Sequence, residues 1–361
     1  MFQCSKSITS IALSNFRNYR KKSFEFSPKT TLIIGPNGSG KTNILEAVYL
    51  LATGESWRTE DAGEMVGFGG EVAHVNGETV QELGVRSKEL EGGKTKLHLV
   101  LTRGIVGGKR VAKIGFKVDE MPRRKTDFSR VFKVVLFEPE SLQIVIGDPS
   151  QRRKFLDEIL KQTDKDYANS LSVYSKALRV RNKLLNAIRD GASHRDGLEY
   201  WERAMVKHGE LLQNKRRELV EWINFKTGKL QIEYQLNSIS ADRLEKYRER
   251  EIEAGFTFVG PQRDDLVIAQ IRNPKSEIRN LAQFGSRGEQ RMAVFQLKLL
   301  EAKWIEEKSG ISPVILLDDI FSELDEEHEK MVGELVEGRQ AIITATETAK
   351  NDSQDLKVIG L

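Results

Sequence analysis

From residue 8 to 34 apolar and polar positions alternate, broken by NFRNYRKK and ending in Leu32, Ile33 and Ile34, which predicts a strand pair. Residues 43–52, NILEAVYLLA, have the period and composition of a helix. Between 66 and 137 short Val-, Leu- and Ile-rich pieces are split by GFGG, EGG, GIVGG and DEMPRRK, a pattern of antiparallel strands and hairpins. Alternation returns at 256–272, and PVILLDD (313–319) and QAIITAT (340–346) read as buried parallel strands flanked by helices.

The stretch from 150 to 254 differs. It has no proline, and charged residues dominate around sparse apolar stripes. One stripe runs through Leu171, Tyr174, Leu178, Leu185 and Ile188, interrupted by Arg181. A second runs through Leu198, Trp201, Met205, Leu212, Leu219 and Trp222, interrupted by His208 and Lys215. Separated by DGASHRDG, they predict an antiparallel helical hairpin, whose arms reach about 50 Å at ~1.5 Å per residue. The expected plan is therefore an α/β head split in sequence, residues 1–149 and 255–361, with a short α-helical arm inserted at 150–254.

Composition narrows the function classes. The 361 residues allow a sizeable core, and 30% charged against 7% aromatic residues points to much solvated surface. A net charge of +4 permits polyanion binding without establishing it. One cysteine, Cys4, excludes an internal disulfide and a cysteine-built metal site and fits a reducing cytoplasm. No apolar run reaches 18 residues and the N-terminus lacks a signal-peptide pattern, so a soluble cytoplasmic protein without a membrane partner is expected.

Three stretches carry chemistry. GPNGSGKT (35–42) follows the apolar strand and precedes the helix, the context of a phosphate loop. Gly35, Pro36, Asn37, Gly38, Ser39 and Gly40 would wrap phosphate with backbone, Lys41 would reach the β- and γ-phosphates of ATP, and Thr42 would ligate Mg²⁺. VILLDDIFSELDEEH (314–328) is a strand ending in two carboxylates: Asp318 suits Mg²⁺, partly through water, and Asp319 suits the attacking water. QFGSRGEQRMAVF (283–295) is a polar loop before an amphipathic run, able to offer N–H groups to an anion or to cap a helix.

NFRNY (15–19), GPNGSGKTNILEAVYLLATGESWRT (35–59), SQRRKFLDEIL (150–160), YSKALRVRNKLL (174–185), VGPQRDDL (259–266), FGSRGEQRMAVFQLKLLEA (284–302) and LLDDIFSELD (316–325) occur in this order, and the chain closely resembles the bacterial RecF family nearly end to end. The resemblance implies an ABC-type ATPase head related to the SMC group, with a mixed-sheet core, an antiparallel β subdomain and a short arm. It implies an ATP-dependent homodimer that binds DNA at single-strand gaps and works with RecR and RecO to load RecA; the sequence shows no helix-turn-helix, zinc-finger or basic-zipper pattern, so base-specific readout is not expected. Carried over by position, Ser286, Arg287, Gly288 and Glu289 would close on the partner's ATP, Lys41, Asp318 and Asp319 would be the catalytic set, and Asp325 would link the two sites. Ser39 stands where many members have glutamine. ITATE (343–347) lacks the histidine that many ABC ATPases use as a γ-phosphate sensor, leaving Thr346 as the nearest polar substitute, and Asp319 is one methylene shorter than glutamate. Slow, switch-like hydrolysis is expected.

Other candidates have competing structural readings. Arg17 and Arg20 could touch nucleotide or lie on an exposed strand; MPRRK (121–125) and QRRK (151–154) could meet DNA or be solvated; Gln143 is a weak candidate for a Q-loop glutamine. PQRDD (261–265) suits a structural or allosteric role, and the five histidines show no ligand spacing. Against the ATP-gated enzyme stands a second reading, a scaffold that holds nucleotide structurally and has no clamp-type switch.

Overall fold

The computed structural model describes residues 4–82, 93–273, 276–319, 326–346 and 356–361. Chain packing separates two compact units, Met1–Ser141 with Lys298–Leu361, and Leu142–Leu297.

The first unit holds two large sheets. Five strands run parallel in the order Val134–Phe137, Val314–Leu317, Ala341–Ala345, Thr30–Ile34, Leu356–Gly360. Their apolar runs read as continuous because the central strands are buried on both faces. A seven-stranded sheet is built around Cys4–Phe16, which pairs antiparallel with Tyr19–Glu25 and Val72–Glu82 and parallel with Ile311–Ser312. It continues antiparallel through Lys94–Thr102, Ile114–Val118 and Met121–Pro122. The strand pair expected over 8–34 is thus three strands shared between two sheets. Parallel and antiparallel pairing are also largely segregated, the five-stranded sheet being wholly parallel.

One helix, Lys41–Thr53, lies in the core between these sheets. Ile44 to Ala52 are buried without interruption, and the apolar cluster around them takes Ile8, Ile11 and Leu13 from one sheet and Ile33, Leu316 and Ile342 from the other. A helix covered on all sides needs apolar residues around its whole circumference, which NILEAVYLLA supplies except at Glu46. Gly77 permits the close approach: a Cβ there would lie 2.6 Å from Leu51 Cδ1.

The second unit is built on two long helices, Lys165–Arg189 and Leu198–Lys226, packed against each other and against Ala241–Ala254. It is not helical throughout. Leu230–Gln235, Asp265–Asn273 and Ser276–Asn280 form a three-stranded antiparallel sheet. This pairing explains why the boundaries expected at 149/150 and 254/255 differ from the packing boundaries: the strand starting at Asp265 hydrogen-bonds to the one ending at Gln235. Arg181, which breaks the first apolar stripe, is fully buried in the helical seam. Its guanidinium meets Glu202 at 2.8 Å, Glu251 at 2.7 Å and Thr257 Oγ1 at 2.8 Å. His208 Nδ1, which breaks the second, lies 3.1 Å from Ser170 Oγ. Among the described residues no helix is long and apolar enough to cross a membrane.

A buried ion pair broken on one side leaves an uncompensated charge, so Arg181→Met is expected to destabilise the protein by about 3–5 kcal/mol. Changing Glu202 and Glu251 to leucine in the same chain should recover most of that loss, measured by urea denaturation followed by circular dichroism. Failure of the triple variant to recover would show that the network specifies the seam rather than merely neutralising charge.

Candidate functional site

The Thr30–Ile34 strand runs directly into residues 35–40, and the buried helix starts at Lys41. The loop turns through Gly38 at φ +80 and Gly40 at φ +108, conformations that a side chain rarely adopts. A Cβ on Gly40 would also lie 2.6 Å from Tyr19 Oη and 2.7 Å from Asn18 Nδ2, whereas Gly38 faces open space. Glycine is therefore required twice at Gly40, by conformation and by close approach.

Lys41 is buried, and its Nζ donates to the carbonyls of Gly35 at 2.7 Å and Pro36 at 3.1 Å. The ammonium is thereby held inside the arc of the loop. Ser39 Oγ is buried and makes no hydrogen bond. Backbone N–H groups at a helix start, one ammonium and open space over Gly38 make a donor set suited to a polyphosphate.

Asp318 follows the Val314–Leu317 strand and meets the first turn of this helix from across the sheet. Its Oδ1 accepts from Thr42 Oγ1 at 3.1 Å and from Thr344 Oγ1 at 2.7 Å. Burial pushes the Asp318 carboxyl above its usual value of 3.8 and the adjacent Asp319 adds to the rise, while the threonine hydroxyls and Arg58 oppose it. A buried carboxylate touching a threonine hydroxyl is a hard-oxygen pair of the kind Mg²⁺ uses when phosphate supplies further ligands. Both residues fit the cation expected of them.

Asp319 takes φ +49, the left-handed region, and its N–H donates to Thr344 Oγ1 at 2.9 Å. Aspartate tolerates this conformation better than most side chains. Thr344 thus holds both carboxylate residues, one through each side of its hydroxyl, because it lies on the neighbouring Ala341–Ala345 strand. Thr346, expected as the polar substitute for a histidine, is exposed beyond that strand's end. Asp325 lies outside the described residues.

NFRNY has a more definite role than its sequence suggests. Arg17, at φ +51, donates to buried Glu46 at 2.9 and 2.6 Å and to the Glu64 carbonyl at 3.0 Å. It is neither an exposed strand arginine nor an available nucleotide contact. Ser56 Oγ donates to the same carboxylate at 2.6 Å, and Arg58 approaches it at 3.4 Å. Asn18 Nδ2 donates to the Ser39 carbonyl at 3.2 Å and Asn18 Oδ1 accepts from Asn43 at 2.9 Å, so Asn18 ties the loop to the helix. Burial raises the Tyr19 hydroxyl to about 12, and it packs over Gly40 without a hydrogen-bond partner. Sequence reasoning missed Asn18, Tyr19, Glu46 and Thr344. Only Glu46, a lone charge in an apolar helix, carried a visible signal.

In the second unit the Arg287–Ser309 helix begins at the GSRGEQR loop. Ser286 N donates to Glu289 Oε2 at 2.7 Å, and Glu289 N to Ser286 Oγ at 3.3 Å, a reciprocal capping box. Ser286, Arg287 and Gly288 are exposed. The helix cap read from the sequence is therefore present, and it leaves the outer face of the loop accessible.

PQRDD lies in the same unit as an internal lock. Fully buried Asp264 accepts from Gln213 at 2.9 Å, Asn237 N at 2.8 Å, Arg216 at 3.3 Å and the Tyr234 hydroxyl. Asp265 takes both Nε and Nη2 of Arg152, at 2.7 and 3.1 Å, and Arg153 donates to the Asp264 carbonyl at 2.7 Å. The two arginines of QRRK are therefore committed internally. In MPRRK, Lys125 pairs with Glu55, Arg123 and Arg124 are exposed, and the hairpin turn itself is the acidic pair Asp119–Glu120. Gln143 is an exposed residue opening the short Gln143–Ile146 helix.

A parallel sheet whose phosphate-loop strand feeds a buried helix, with two carboxylates at the end of another strand, belongs to an ABC-type ATPase head. The model of the RecF/RecN/SMC N terminal domain matches residues 7–359. The chain is 34% identical over 369 residues to the DNA replication and repair protein RecF of Agathobacter rectalis, covering 97% of this chain and 96% of that protein. It is 34% identical over 395 residues to the same protein of Roseiflexus castenholzii, covering 98% and 95%. A solved structure of the recombination mediator protein RecF-ATP in the RecFOR pathway superposes with a TM-score of 0.82 at 28% identity, covering 98% of this chain and 95% of that one. The chain belongs to the RecF family.

The raised Asp318 carboxyl means that its ionised form is less favourable in the folded protein than in the unfolded chain. Its cost is therefore present above the unfolded value and disappears as pH falls below it. Asp318→Asn keeps an oxygen acceptor for Thr42 and Thr344. Without ligands it is expected to melt at or above the wild-type temperature near pH 7, with the advantage shrinking towards pH 4. A lower melting temperature at pH 7, or a difference independent of pH, would contradict this assignment.

Proposed function

We propose that this protein is an ATP-dependent DNA-repair mediator acting as a dimeric switch. Gly35 to Thr42 hold the phosphates of ATP, Thr42 and Asp318 hold Mg²⁺ partly through water, and Asp319 orients the attacking water. Ser286, Arg287, Gly288 and Glu289 of one subunit act on the nucleotide held by the other. The observation that carries this reading is the Thr42–Asp318–Thr344–Asp319 cluster beside the phosphate loop, which joins residues distant in sequence through three contacts of 2.7–3.1 Å.

When bound, ATP supplies the hydrolysable γ-phosphate and Mg²⁺ polarises it. The chain's own part is positional. Lys41 supplies positive charge within the loop, Thr344 fixes the backbone amide of Asp319, and the left-handed turn presents that residue as a unit with Asp318. Aspartate's short reach favours slow hydrolysis, which suits a timer that keeps a dimer closed until cleavage.

The relatives named as DNA replication and repair proteins and the RecF-ATP structure of the RecFOR pathway support the broader role. In that role the ATP-bound dimer binds DNA at single-strand gaps, chiefly through backbone charge, and works with RecR and RecO to promote RecA loading. DNA stimulates a weak ATPase, and hydrolysis releases the complex. The exposed Ser286–Gly288 face supports a contact in trans, while the capping box alone would serve a scaffold equally well.

Two variants separate these readings. The wild type is expected to double in solution mass only with ATP and Mg²⁺, and Ser286→Arg to stay monomeric while still binding ATP. A mass that ignores ATP, or a variant that dimerises as well as wild type, would reduce the loop to a local cap. Asp319→Asn, whose new side chain also tolerates positive φ, is expected to retain ATP affinity and to lower turnover at least ~100-fold. Equal turnover by this variant would remove Asp319 from the water's site.

A further inference from the structure

Phe68 has a relative exposure of 107%, the largest among the exposed apolar residues described. It stands in the Gly67–Gly70 turn, with glycine on either side, so no neighbouring side chain in the turn covers its ring. The turn is nonetheless firmly built. Gly67 N donates to the Asn15 carbonyl at 2.6 Å and Gly70 N to the Gly67 carbonyl at 3.0 Å, and Gly69 takes φ +77. A Cβ at Gly67 would lie 3.0 Å from Asn15 O and 3.2 Å from Arg17 O, so any side chain there would press on two backbone carbonyls.

This turn is fastened to a basic hairpin. Arg103 donates to the Gly70 carbonyl at 3.1 Å and to the Val66 carbonyl at 3.1 Å, and Glu71 accepts from Gly107 N at 2.9 Å. Gly107 and Gly108, at φ +53 and +77, close the hairpin between Ile105–Val106 and Lys109–Arg110. Lys109 and Arg110 are exposed and make no ion pair among the described residues. Glu71, the acidic residue joining the two elements, is engaged with the hairpin backbone.

We propose that Phe68 is a stacking platform for an unpaired nucleobase, with Lys109 and Arg110 holding the adjoining phosphates. The proposal deepens the DNA-binding reading above and rests on it. Exposing an aromatic side chain in water costs free energy, and holding it on a braced turn denies it the option of folding back. A protein partner would require a packed apolar surround to exclude water from the ring. Here the flanking residues are glycines, and the attached hairpin sets the half-exposed Ile105 and Val111 beside the exposed cations Lys109 and Arg110, too sparse an apolar rim to enclose the ring, so its flat faces stay open beside charge that complements a phosphate chain. Stacking is available from a base in a single strand and not from one inside a duplex, so Phe68 would distinguish the two while the hairpin cations would not.

The experiment uses the full chain with ATP and Mg²⁺ and measures fluorescence anisotropy on a single-stranded oligonucleotide and on a blunt duplex. A 2-aminopurine base in the single strand reports stacking. Phe68→Ala is expected to weaken single-strand binding by about 5- to 150-fold, to leave duplex binding unchanged and to abolish the wild-type change in 2-aminopurine emission. Phe68→Trp should retain all three properties of the wild type. Lys109→Glu with Arg110→Glu should weaken both DNAs and flatten the salt dependence. The proposal is overturned if Phe68→Ala binds single strands as tightly as wild type, or if it loses both DNAs equally. Wild type that binds neither DNA would instead remove the DNA-binding reading itself. Because the Phe68 side chain is fully exposed, its variants should melt with the wild type, which excludes misfolding as the cause.

Discussion

Burial of the Lys41–Thr53 helix on every side is the constraint on which the rest of the ATPase unit depends. A helix enclosed by two sheets cannot rotate or slide without losing apolar contacts on both, so the loop at its N-terminus is held in one place. The cost of that arrangement is visible at Glu46, a carboxylate with no access to water, and Arg17 offsets it with two short hydrogen bonds. Arg17 reaches Glu46 from a left-handed turn, and the next residues, Asn18 and Tyr19, then fall against the phosphate loop. One buried charge thereby links the core to the outer wall of the candidate nucleotide site.

The carboxylate side of the site follows a different logic. Asp318 and Asp319 stand at the end of a strand, where successive side chains would point to opposite faces. The left-handed backbone at Asp319 breaks that alternation, and Thr344 braces the break by bonding both residues. Within the second unit, Asp264 does for loops what the buried helix does for the first. It collects donors from two separate segments, Gln213 and Arg216 on the long helix and Tyr234 and Asn237 at the end of the following strand, and so fixes the turn that carries PQRDD.

How much was legible can be judged from particular residues. GPNGSGKT could be placed and given a chemistry because its eight residues are contiguous and its flanks have opposite periodicities. The carboxylate pair was legible for the same reason, following an uninterrupted apolar strand. Thr344 carries no signal of its own within QAIITAT, and only the pairing of the Ala341–Ala345 strand beside Val314–Leu317 sets its hydroxyl against Asp318. The basic clusters were weighed by composition alone. Arg152 and Arg153 prove to be paired internally while Lys109 and Arg110, within a run of glycines, stand exposed.

The sequence by itself determined the family and the presence of a helical pair, and it marked residues 35–42 as the candidate phosphate loop, since each is written in local spacing or in an ordered series of motifs. Tertiary structure decided which charges are available and which are consumed, and where one unit ends and the next begins. Asp265 belongs with the helical unit because its strand pairs with Leu230–Gln235, a choice made by hydrogen bonds between segments. The same holds for Thr42 and Asp318, 276 residues apart and joined at 3.1 Å. Period and composition describe what each segment can bury, whereas a site made of distant segments exists only once their burial has brought them together.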